Sequence, residues 1–106
     1  MEEYILLDLT GGDQAREENK HLPEDEIITR IEKNAYYIRH VENPSIKMQL
    51  CAVRINPFSI NSIAAPAKEV QMNAVRENYY TISSIKNPDK DVLELAQDLK
   101  IKDWGF

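Results

Sequence analysis

Nucleophilic chemistry in this chain would have to start from Cys51, its sole cysteine, with His40 taking the proton. A thiol within hydrogen-bond reach of an imidazole is the minimal pair for covalent catalysis. Cys51 falls in the middle of a helical pattern, however, and the two histidines stand alone, His21 in a polar stretch and His40 on the outer side of a short helix. No Cys/His grouping has metal-ligand spacing, and three glycines leave no phosphate-cradling loop. The expectation is a protein that is not an enzyme and uses no metal or cofactor, with a Cys51–His40 site as the least supported reading. Recognition chemistry has more to work with. Arg54 and Arg76 can form a small basic strip for a carboxylate or phosphate; a solvated face that pairs locally is the preferred reading. Tyr36, Tyr37, Phe58, Tyr79 and Tyr80 supply rings of the kind enriched at interaction hot spots.

These residues are spaced by an internal repeat. Three blocks align without gaps: "NAYYIRHVENPSIKMQLCAVRI" (34–55), "NPFSINSIAAPAKEVQMNAVRE" (56–77) and "NYYTISSIKNPDKDVLELAQDL" (78–99). Asn34, Asn56 and Asn78 open them, and Tyr36, Phe58 and Tyr80 follow two residues on. Pro44, Pro66 and Pro88 align, as do Ala52, Ala74 and Ala96. In this frame Cys51 aligns with Asn73 and Leu95, so it occupies an ordinary helical position. "NPF" at 56–58 looks like the tripeptide read by EH-domain adaptors, but the other blocks have "NAY" and "NYY" there. It marks a repeat boundary.

Each block reads as two helices. Asn is a favoured N-cap and proline a favoured first helical residue, so Asn56-Pro57, Asn43-Pro44 and Asn87-Pro88 all read as cap and start. The first helix is short (35–41, 57–63, 79–85) and partly 3₁₀. The second spans roughly 44–55, 66–76 and 88–99, with Met48, Ala52 and Ile55 on one face. The constant alanine marks close approach of neighbouring helices. Tyr36, Phe58 and Tyr80 lie opposite the Ile38/Val41 side and form a column, with Tyr37 and Tyr79 beside it. That column is either a ridge for a partner or a set of rings packed on the preceding unit, and the second reading is preferred.

Units of 22 residues cannot bury an apolar face alone and should stack. The expected fold is all-α: a short right-handed helical-repeat solenoid over 23–106. Residues 23–33 form an N-terminal capping helix in which Arg30 replaces the alanine. Residues 100–106 form a truncated first helix whose Trp104 covers the core's open end. The stretch "AVRINPFSINSIAAPAKEVQMNAVREN" resembles the HEAT, armadillo and leucine-rich-variant repeats, and is most similar to the last. Its short units, sparse leucines and missing cysteine cluster depart from that pattern. The resemblance implies a binding scaffold of a kind found in bacterial and bacteriophage proteins.

Residues 1–22 lie outside the repeat as an arm and polar loop, with "EEYILLDLTGGD" compatible with either a strand or a helix. Of the net charge of −5, residues 1–34 carry −6 and the remainder +1. No basic surplus exists to neutralise phosphates, so direct nucleic-acid binding is not expected. The longest apolar run, "YILL", is too short to span a bilayer. Glu2 and Glu3 replace the basic opening of a signal peptide. A single cysteine fits a reduced compartment, so the chain is expected in the cytoplasm, of the host cell if phage-encoded. The leading expectation is a non-catalytic protein–protein interaction module, monomeric or weakly dimeric. The alternative is a phage-type inhibitor whose acids, Glu17, Glu18, Glu24, Asp25 and Glu26, mimic nucleic acid on a host enzyme.

Overall fold

The computed structural model describes residues 21–103. Helix α1 (Glu24–Lys33) is followed by three pairs: η1 (Ala35–His40) with α2 (Ile46–Ile55), η2 (Pro57–Ser62) with α3 (Lys68–Glu77), and η3 (Tyr79–Ser84) with α4 (Lys90–Asp103). The short helices are 3₁₀ throughout. The described chain is predominantly helical, with no strand among the described residues. Each α-helix packs on the α-helix before it, and each 3₁₀ helix on its neighbouring 3₁₀ helices.

One asparagine makes each passage from α to 3₁₀. The Asn56 backbone N–H closes α2 onto the Ala52 carbonyl at 2.9 Å, while its side-chain oxygen accepts from Phe58 N–H at 3.0 Å and so opens η2. Asn34 and Asn78 repeat both bonds. An extended backbone at each Asn turns the chain in a single residue. Pro57 follows Asn56 at the first helical position, as its fixed φ and missing N–H favour.

The other Asn-Pro pairs act differently from the sequence reading. Asn43 and Asn87 have φ of 50° and 51°, the left-handed region that asparagine tolerates better than most residues. The caps come later. Ser45 Oγ accepts from Met48 N–H at 3.2 Å, and Asp89 Oδ1 from Asp91 N–H at 3.1 Å. Pro44, Pro66 and Pro88 therefore stand two residues ahead of their helices in extended loops. The tight turn had to be completed before the helix could begin.

The core runs unbroken from Ile27 to Ala96. Ile31, Ile38, Val53, Ile60, Val70, Val75 and Val92 are almost wholly sealed, as are Ala52 and Ala74. Met48 and Ala52 lie on the buried face of α2, but Ile55, expected with them, is exposed because the helix ends there and turns outward. Residues 100–103 are the last turn of α4 rather than a truncated first helix. Trp104 and the 1–20 part of the arm lie outside the described residues.

Candidate interaction surface

The Asn corners fix the aromatic side chains. Each asparagine side chain holds the amide of the residue two positions on, so Tyr36, Phe58 and Tyr80 sit in the first turn of successive 3₁₀ helices. They remain 39%, 37% and 56% exposed. A 3₁₀ turn places side chains three apart on one edge, so Ile38 and Ile60 enter the core while Tyr36 and Phe58, two residues earlier, stay partly exposed. The polar link that does form runs forward: Asn56 Nδ2 donates to the Tyr36 hydroxyl at 3.4 Å. Phe58 has no hydroxyl, so no such link can reach Asn78.

Tyr37 and Tyr79 are half-buried. Arg30, where the other helices carry alanine, donates to the Tyr37 hydroxyl at 3.1 Å and lies over its ring at 5.8 Å from the centroid. Tyr79 and Tyr80 contact with centroids 4.5 Å apart, and the Tyr79 hydroxyl donates to Asp103 Oδ2 at 2.9 Å. The hydrogen bond with Tyr80, then desolvation and Asp103, hold the Tyr79 hydroxyl far above its ordinary pKa. It stays a neutral donor.

Arg54 and Arg76 close α2 and α3, where cations complement the helix dipole. Both are exposed, and among the described residues neither is in a salt bridge. Arg54 borders a hollow of about 70 Å³ with Leu50, Val53, Asn73 and Glu77. Arg76 borders a cleft of about 530 Å³ with Glu77, Tyr79, Tyr80, Leu99 and Lys102. Glu77 lines both. The opposite edge is tied by polar bonds instead, with Lys68 of α3 bridging to Asp91 and, at 3.8 Å, to Asp89.

Glu24, Asp25 and Glu26 occupy the exposed first turn of α1, and Glu26 lies 3.6 Å from Arg30. Glu17 and Glu18 lie outside the described residues. Cys51 is half-buried; burial first, and then Glu32, push its thiol up, so little thiolate forms at neutral pH. The ring of His40 is held instead by Arg39, whose Nε donates to its Nε2 at 3.3 Å, and by Tyr37, 5.7 Å away edge-on. Among the described residues no group of three His, Cys, Asp or Glu is placed to hold a metal ion, and no helix is long and apolar enough to cross a membrane.

Two residues that sequence reasoning passed over matter more than several it singled out. Buried Gln49 donates to the Pro44 carbonyl at 2.9 Å and accepts from Ala67 N–H at 3.0 Å. Gln71 does the same with Pro66 and Asp89, at 3.0 Å each. Their identity at aligned positions was the available signal. The third position holds Leu93, which is 48% exposed. Compared with family models, with curated proteins and with solved structures, the chain matches none of them.

Proposed function

We propose that this protein is a non-catalytic interaction module: a short right-handed solenoid of three 22-residue units, similar to leucine-rich-variant repeats, that binds another protein in the cytoplasm. The observation that carries this reading is the exposure of one ring per unit, Tyr36, Phe58 and Tyr80, on successive 3₁₀ helices. A fold with so small a core would gain by burying them. Leaving them outside is consistent with a surface that a partner completes. Burial, which pushes the Cys51 thiol up, counts against its use as a nucleophile.

The test uses the Tyr36→Ala, Phe58→Ala and Tyr80→Ala triple variant. Partners are purified from source cells on the wild-type chain, identified by mass spectrometry and titrated against both proteins. The triple variant is expected to keep its circular dichroism and to lose the partner at physiological salt. Undiminished binding by the folded variant would overturn the proposal. The acidic-mimic alternative draws less support, since acids in a first helical turn are accounted for by the helix dipole. Charge reversal at Glu24, Asp25 and Glu26 that abolished binding to a nucleic-acid enzyme would revive it.

A further inference from the structure

The two depressions that Glu77 lines, at the ends of α2 and α3, have a chemistry of their own. Arg54, Arg76 and Lys102 present cations there, against the carboxylates of Glu77 and Asp103, the second of which accepts from the Tyr79 hydroxyl. Tyr80 and Leu99 provide apolar wall beside these charges. The arginines lack ionic partners among the described residues, in a protein whose formal charge is −5. Unpaired cations beside exposed rings match a carboxylate carried next to an apolar side chain.

Resting on the interaction-module reading, we infer that this surface receives a partner's polypeptide segment in which an aspartate or glutamate stands beside an aromatic or leucine residue. The carboxylate engages Arg54 or Arg76, and the apolar neighbour lies against Tyr80. A second copy of this chain is a poor occupant. One aligned position per unit reads Glu32, Arg54, Arg76, Asp98, all exposed. A two-fold antiparallel pairing centred on that row sets Arg54 against Arg76 of the second copy and Glu32 against Asp98, like charge against like.

The experiment pans a displayed library of random peptides on the full chain and titrates a synthetic copy of an enriched sequence by fluorescence anisotropy. Enrichment of acidic residues beside Leu, Phe or Tyr is expected. Binding should weaken on the order of tenfold in the Arg54→Glu/Arg76→Glu double variant, shown folded by circular dichroism. Glu77→Gln, which removes the competing anion, should tighten it. Acidic peptides that bind the reversed variant undiminished would overturn the inference, as would enrichment of neutral or basic peptides. So would an Arg-dependent single-stranded oligonucleotide that binds more tightly than any enriched peptide. Peptides lost by the triple aromatic variant but indifferent to the arginines would sink the acidic segment and leave the aromatic surface standing. An empty selection would count against both.

Discussion

At the scale of single residues, three equivalent positions show how one site is solved differently along the chain. Tyr37, Ser59 and Thr81 align, and the last two are wholly sealed from solvent. Thr81 Oγ1 donates to the Asn78 carbonyl at 2.8 Å, whereas Ser59 Oγ has no partner. A buried hydroxyl without a hydrogen bond costs more than it returns. Ser59→Ala should therefore hold or raise stability, by up to about 1 kcal/mol, while the near-isosteric Thr81→Val should lose about 1 kcal/mol. Urea melts of the two variants check the contrast, and equal losses would refute it. The sequence made this position visible as a column but not its state, because serine and threonine look alike until the hydroxyl's surroundings are known.

At the scale of elements, the glutamine bridges join one loop to the next. A primary amide offers a donor and an acceptor at the spacing the Pro44 carbonyl and the Ala67 amide require, and Gln71 repeats the arrangement. Gln71→Leu strands a part-buried carbonyl and a part-buried amide, costing about 1–3 kcal/mol in a urea or thermal melt. Gln71→Glu should behave differently with pH. A protonated carboxyl can still donate to Pro66, whereas the ionised form cannot and is desolvated, so its folded pKa rises above the ordinary ~4.3. Its stability relative to wild type is then greatest at acid pH and lost as pH rises through the folded pKa. A melting temperature that tracks wild type from acid to neutral pH would refute this. The Asn56-Pro57 boundary was legible because capping is local chemistry. Asn43 and Asn87 were misread because a left-handed turn and a helix cap favour the same residue. The bridges were missed because one partner of each glutamine, the amide it accepts from, lies in a loop 18 residues away.

At the scale of the whole molecule, the proposed repeat makes a demand that no single substitution tests. Removing 56–77 joins Ile55 to Asn78, which keeps an Asn corner and brings Asp89 N–H to the place that Ala67 N–H holds beside Gln49. The shortened chain should fold cooperatively with less helix and a lower melting temperature, because each neighbour contact is retained in kind. Removing 56–66 alone deletes a 3₁₀ helix, misaligns the core and should leave the chain unfolded by circular dichroism. If both deletions behave alike, the units are not interchangeable modules. Helical periodicity foretold a predominantly helical chain, and Met48 and Ala52, which it set on one face, are buried. It could not place the rings, whose direction depends on whether the short helix turns as α or as 3₁₀.

The single-residue corners have a mechanical consequence. Asn34, Asn56 and Asn78 each end one helix and start the next, so that edge contains no slack. The opposite edge runs through the longer stretches 41–45, 63–67 and 85–89. Hydrogen exchange should therefore reach the amides of those longer stretches before the Asn34, Asn56 and Asn78 amides, each of which closes a helix.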